Sequence, residues 1–206
     1  MQSETPATHV PTDAPKPKGR LVLLLLFIFF AAPLIVVAIM YKLDWHPSGF
    51  SRGQMVTPPK IIELPNGLMA ANGQPIANDF WKEKWSVLYI ADACDSICEQ
   101  RLYEMRQIHV SLAKHIPRVQ RILLTQSADV QTLQQQYPDL MIINQPASEI
   151  AALKMQFDLG ESLAGQGQRV YVVDPLSYLM MSYPIETPAR DIRKDLGRLL
   201  AYAWAG

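Results

Sequence analysis

Cys94 and Cys98 are the only two cysteines in a chain of 206 residues, and three residues separate them. Two thiols so placed can close one bridge, hold one soft metal ion or trade electrons with another disulfide. They cannot build the multi-bridge framework of a small secreted domain. The apolar run Trp85–Ala91 precedes them, and Ser96-x-x-Glu99, in the form of a capping box, overlaps them. This pattern sets the pair at a strand-to-helix junction, with the helix starting at about Ile97. Within a regular helix, Cβ atoms four residues apart stand roughly 5–6 Å from each other, whereas a disulfide needs about 3.5–4.5 Å. One cysteine must therefore leave the helix, and Cys94 is the one that can.

A thiol at a helix start meets unpaired N–H groups and the positive end of the dipole, which favour the thiolate. The thiolate is the nucleophile of disulfide exchange and a soft ligand for Cu(I). Asp92, Asp95 and Glu99 oppose it by like-charge repulsion. The expectation is a pair that is not strongly acidic, suited to a reducing dithiol or a cation site. Two blander roles compete. A structural bridge closing about five residues would contribute only about 2 kcal/mol in the chain-entropy picture, and two buried thiols would be inert.

The surrounding elements must deliver that pair. Leu21–Met40 carries no charge, and at about 1.5 Å per residue it spans roughly 30 Å, the hydrocarbon thickness of a bilayer. Lys16, Lys18 and Arg20 crowd its N-terminal side, with Tyr41 and Trp45 beyond it. The charge bias points to a single-pass inner-membrane protein, N-terminus cytoplasmic and C-terminal domain periplasmic. The rival is a cleaved signal peptide with a poor site at Val36-Val37-Ala38; the long apolar stretch and the polar tail before it favour an uncleaved anchor.

The expected organisation is a disordered tail (1–20), a transmembrane helix (21–41), a Pro-containing tether (42–60) and a folded domain (61–204). Turn signals at Pro65-Asn66-Gly67 and Asn72-Gly73 suggest an N-terminal hairpin. Beyond Cys98, apolar residues from Ile97 to Ile116 recur at helical spacing until Pro117. Val119–Thr125 reads as a strand, Ala128–Tyr137 as a polar helix, Leu140–Asn144 as a strand and Ala147–Phe157 as a helix. Arg169–Asp174 and Tyr178–Tyr183 form a hairpin about Pro175, and Pro188–Trp204 is a final helix. The order is that of an α/β fold with a mixed sheet and helices on both faces. Lys plus Arg balance Asp plus Glu at 19 each, so net charge predicts no nucleic-acid partner.

The stretch Asn72-Gly-Gln-Pro-Ile, Phe80-Trp-Lys-Glu-Lys-Trp85 through Cys94-Asp-Ser-Ile-Cys98, together with Val170-Tyr-Val-Val-Asp174-Pro175, resembles the Sco (SenC) family of cytochrome c oxidase assembly proteins. The resemblance implies a thioredoxin-like fold on one membrane span. It also implies copper bound by the two cysteines, here Cys94 and Cys98, and a distant histidine. That histidine position falls near Gln166, and Gly165–Gln168 contains none. The resemblance thus implies thiol chemistry with an incomplete copper site, and as partner the copper-binding subunit of the oxidase or other assembly factors. His109 does not substitute, because three helical turns place it roughly 16 Å beyond Cys98. Met180 and Met181 read as packing residues.

Three functions remain open from sequence: a dithiol that cycles with client disulfides, with Cys94 exchanging and Cys98 resolving; a Cu(I) chaperone using both sulfurs; and an assembly scaffold.

Overall fold

The fold is described from a computed structural model, which defines residues 19–43, 51–160 and 162–203. The chain divides into two units, Met1–Gly49 and Phe50–Gly206. The first is one helix, α1 (Gly19–Lys42), with no buried residue and a mean hydropathy of 3.2 in its most apolar window, long and apolar enough to cross a membrane. Pro33 stays inside it. The tail before residue 19 and the tether residues 44–50 lie outside the described residues.

In the second unit a seven-stranded mixed sheet is built around β3 (Trp85–Ala91), all seven of whose residues are buried. Such an unbroken apolar run suits a strand covered on both faces. To one side, β4 (Val119–Leu124) runs parallel to β3, and β5 (Leu140–Gln145) runs parallel to β4. To the other, β6 (Gln166–Val173) pairs antiparallel with β3 and continues through a hairpin into β7 (Tyr178–Pro184). Asp174 turns that hairpin, its Oδ1 accepting from Leu176 N–H (2.9 Å) and Tyr178 N–H (2.7 Å). The two-residue β2 (Met69–Ala70) pairs with β5 at one edge.

Alternation along β3 divides the interior in two. Trp85, Val87, Tyr89 and Ala91 face α2 (Ser96–Ser111), α3 (Val130–Gln136) and α5 (Ala189–Tyr202). Leu88 and Ile90 face α4 (Ala147–Met155) together with Ile62, Leu68 and Trp81. The mixed sheet with helices on both faces is therefore as the sequence implies.

Three elements differ from the sequence reading. The segment that reads as a tether up to residue 60 contains β1 (Gln54–Ile61), which pairs antiparallel with β7 at the other edge. Its Pro58-Pro59 cannot donate to a ladder, but the register shifts between Met55 and Lys60, and an edge strand tolerates the gap. The folded unit is pinned even earlier. The buried Asp195 carboxylate on α5 accepts from Ser51 Oγ (3.0 Å), Arg52 N–H (2.8 Å) and Gly53 N–H (3.2 Å). The expected N-terminal hairpin reduces to an isolated bridge of Met69 with Pro75, since β2 finds its longer partner in β5. The helix expected to reach Ile116 stops at Ser111, because Ala113 adopts φ +50° and a 3-10 turn, Ala113–Arg118, comes next.

Arg121, in mid-β4, is 1% exposed. Its guanidinium donates to Asp139 Oδ1 (2.6 Å) and lies 6.0 Å from the Tyr137 ring centre. His109 joins from α2, its Nε2 2.9 Å from Val119 O and its Nδ1 3.7 Å from Asp139. Burial works to raise the Asp139 pKa, but the hydrogen bond and charge of Arg121 prevail and hold it below its ordinary value of 3.8. A depressed carboxylate stabilises the fold above the unfolded value, and that contribution is lost as pH falls through the folded one. Asp139→Asn should lower stability at neutral pH by about 1–3 kcal/mol, the cost of stranding a buried cation discounted for the exposed carboxylate. Denaturant midpoints of wild type and variant should converge as pH falls through the depressed Asp139 pKa, below its ordinary 3.8.

Candidate functional site at the Cys94–Cys98 loop

β3 ends at Ala91, and Asp92 fastens the chain where it leaves the sheet. Its N–H donates to Gly165 O (3.3 Å), and its carbonyl accepts from Gln126 N–H (3.2 Å) and Thr125 Oγ (3.4 Å). Its carboxylate pairs with Lys154 of α4. Gly165 lies against this ion pair: a Cβ there would come within 2.7 Å of Lys154 Nζ and 2.8 Å of Asp92 Oδ2, so a side chain would push the two charged ends aside. Three neighbouring segments, the chain just after β4, α4 and the loop entering β6, thus hold the residue two positions ahead of Cys94.

Asp95 then starts α2. Its Oδ1 accepts from Ile97 N–H (3.1 Å) and Cys98 N–H (3.0 Å), and its backbone is extended. The cap is therefore Asp95, one residue before the Ser96 that the capping-box pattern named. A carboxylate both satisfies orphan N–H groups and complements the dipole, which a hydroxyl does less well. Cys98 sits in the first turn and Cys94 immediately before the cap, the arrangement the sequence required. The two are joined as a disulfide with Cα atoms 5.0 Å apart. Cys98 is 1% exposed, whereas Cys94 is only partly buried. One sulfur is reachable and the other lies beneath it.

The electrostatics are unusual for a helix-start cysteine. The Ile97 and Cys98 amides that would stabilise a thiolate are engaged by the Asp95 carboxylate. The nearest buried cation on α2, Arg101, is already committed to Glu104 (2.7 Å) and to the carbonyls of Ile185 and Thr187. Little remains at this helix start to stabilise a thiolate.

Gln166, the position the resemblance assigns to the missing histidine, pairs across from Ala91 at the start of β6. The next residue, Gly167 at φ +66°, accepts a hydrogen bond from Tyr89 O–H through its carbonyl (2.8 Å). Gln166 thus borders the dithiol but carries a neutral amide, a poor match for soft Cu(I). Among the described residues, no group of three His, Cys, Asp or Glu could hold a metal. His109 is spent on Val119 and Asp139, and Met181 is core, 3.4 Å from Tyr183 Oη through its sulfur. The reduced pair offers two soft donors and no third, so a closed protein-only copper site does not fit these residues.

Asp95 was legible in sequence as an Asp three residues before Cys98. The Asp92–Lys154–Gly165 anchor was not, because its members lie far apart in the chain. Asp95→Asn should keep the cap but remove its charge. The Cys94–Cys98 potential should then rise by on the order of 15–30 mV, about 0.7–1.4 kcal/mol for a two-electron couple, when poised in glutathione buffers.

Comparison with known proteins agrees with this geometry. A family model described as "Transmembrane-like, thioredoxin-like, C-terminal domain" matches residues 85–203. Among curated proteins no sequence matches. Solved structures do. Copper-bound ScoI of Arabidopsis thaliana superposes with a TM-score of 0.57 at 14% identity, covering 69% of this chain and 99% of that one. The apo Sco1 protein of Thermus thermophilus gives 0.59 at 17% identity, covering 72% and 96%. BsSco, a Sco-family cytochrome c oxidase assembly protein in which a disulfide switch was identified, gives 0.52 at 16% identity, covering 73% and 100%. At such identities these likenesses establish the fold. The chain belongs to the transmembrane-like, thioredoxin-like C-terminal domain family, and its domain has the thioredoxin-like fold of the Sco proteins.

Proposed function

We propose that this chain is a membrane-anchored thiol–disulfide protein whose Cys94–Cys98 pair reduces a client disulfide on the exported side of the inner membrane. The observation that carries the reading is the asymmetry of the pair: a reachable Cys94 and a buried Cys98, bonded to each other at a helix start. In the reduced protein, the Cys94 thiolate attacks one client sulfur and forms a mixed disulfide, releasing the other client sulfur as a thiolate. The Cys98 thiolate then attacks Cys94 Sγ, re-forming the internal bridge and freeing the second client thiolate. Two electrons pass to the client, and an external dithiol must supply two to reset the cycle. The weakly stabilised thiolate suits a donor of electrons rather than an oxidant.

The Sco-type fold suggests the client: cysteines of the copper-binding subunit of cytochrome c oxidase, which must be reduced before they can take metal. Copper enters this reading as the client's cargo. The basic residues Lys16, Lys18 and Arg20, ahead of the uncharged stretch Leu21–Met40, support a cytoplasmic N-terminus and a periplasmic domain.

The full-length protein in detergent should show a reversible two-electron couple at about −200 mV or below, against glutathione or dithiothreitol. Cys98→Ser should accumulate a mixed disulfide through Cys94, seen as a mass adduct removable by reductant, and Cys94→Ser should form none. A pair that resists reduction in every buffer would return the bridge to a structural role.

A further inference from the structure

At the C-terminal ends of β4 and β5, the first turns of α3 border a cleft of about 560 Å³. This is the C-terminal edge of parallel strands, where open α/β sheets gather ligands. Its lining is uncommon: the carboxamides of Gln126, Gln131, Gln135, Asn144 and Gln145, with Asp129 the one charged side chain among the lining residues. No lining cation is there to recognise a phosphate or carboxylate. No lining aromatic ring is there to stack on a sugar or a base.

Carboxamides supply a donor and an acceptor together, the pattern an extended peptide main chain presents at every residue. One acceptor is already waiting. Asn144 Oδ1 is buried with no protein hydrogen-bond partner among the described residues, so it is free to accept an N–H. Among the described residues, no hydrogen bond engages the side-chain amides of Gln126, Gln131, Gln135 or Gln145. The cleft is tied to the segment that carries the reacting sulfur. The Gln126 N–H bonds to Asp92 O, two residues ahead of Cys94.

We propose that this cleft binds the extended main chain of the client segment flanking the disulfide that Cys94 attacks. Recognition runs through backbone amides, so it is tolerant of client side chains. The proposal deepens the thiol–disulfide reading and rests on it.

The test uses reduced full-length protein in detergent micelles and three fluorogenic disulfide peptides. One has no flanking arm, one carries a four-residue Ser/Gly arm, and one carries the same arm N-methylated. The arm should raise the second-order rate of disulfide reduction about tenfold, as expected for roughly 1.4 kcal/mol of added binding. N-methylation should abolish that gain. The ratio of armed to armless rates should fall towards one in Asn144→Leu, and equally in the exposed double variant Gln126→Ala/Gln131→Ala, whose fold is not at risk. Equal rates for armed and armless peptides in the wild type, or a gain that survives N-methylation and both variants, overturn the proposal. If no probe is reduced, the thiol–disulfide reading itself is overturned. The cleft is then judged by fluorescence anisotropy of a labelled, cysteine-free arm peptide on the oxidised protein. Binding that Asn144→Leu removes supports it, and absence of binding overturns it.

Discussion

The burial of β3 on both faces governs the rest of this domain. Seven consecutive residues sealed between two apolar layers leave the strand no freedom of register, since a one-residue slip would exchange its two faces. Each large side chain so buried contributes about 1.5–3 kcal/mol. The strand must then stop where the sheet stops, at Ala91, and the next residues of the chain are presented at that edge. Asp92 comes first, held by β4, α4 and the loop entering β6, and Cys94 lies two positions beyond it.

Within that frame the chemistry is set by a contest between a helix and a carboxylate. A helix start offers N–H groups and a positive dipole to any nearby thiolate. Asp95 takes both the Ile97 and Cys98 amides and returns a negative charge to the same spot. Cys98 is buried and Cys94 more open, so the two sulfurs of the bridge differ in access. The same edge carries the amide-lined cleft, so sulfur and polar groove share one end of the sheet.

Elsewhere, buried charges are each met by local partners and tie distant segments together. Asp195 on α5 gathers the backbone of Ser51–Gly53 and lies 3.5 Å from Tyr183 Oη, whose pKa rises through burial and through that carboxylate. Arg121 links β4 to Asp139, and Asp139 links to α2 through His109. Neither network includes Cys94 or Cys98.

Periodicity and local chemistry determined much of this in advance. The uncharged span, the apolar run before the cysteines, the exclusion of Cys94 from the helix and the order of strands and helices all arise from neighbouring residues. The resemblance, not the local pattern, marked the missing histidine at Gln166, which pairs with Ala91 at the end of β3. The tertiary structure alone decided the rest. Pro58-Pro59 reads as a tether until β7 offers it an edge, and Arg121, one residue of a strand in the sequence, is enclosed only once Asp139 and Tyr137 are placed around it. Asp92, Lys154 and Gly165 meet only once three elements converge, as do Gln126, Gln131 and Asn144. Sequence spacing carries one-dimensional periods of about 2 and 3.6 residues. Which distant polar groups share a sheet edge is a property of the packed layers, and no local pattern records it.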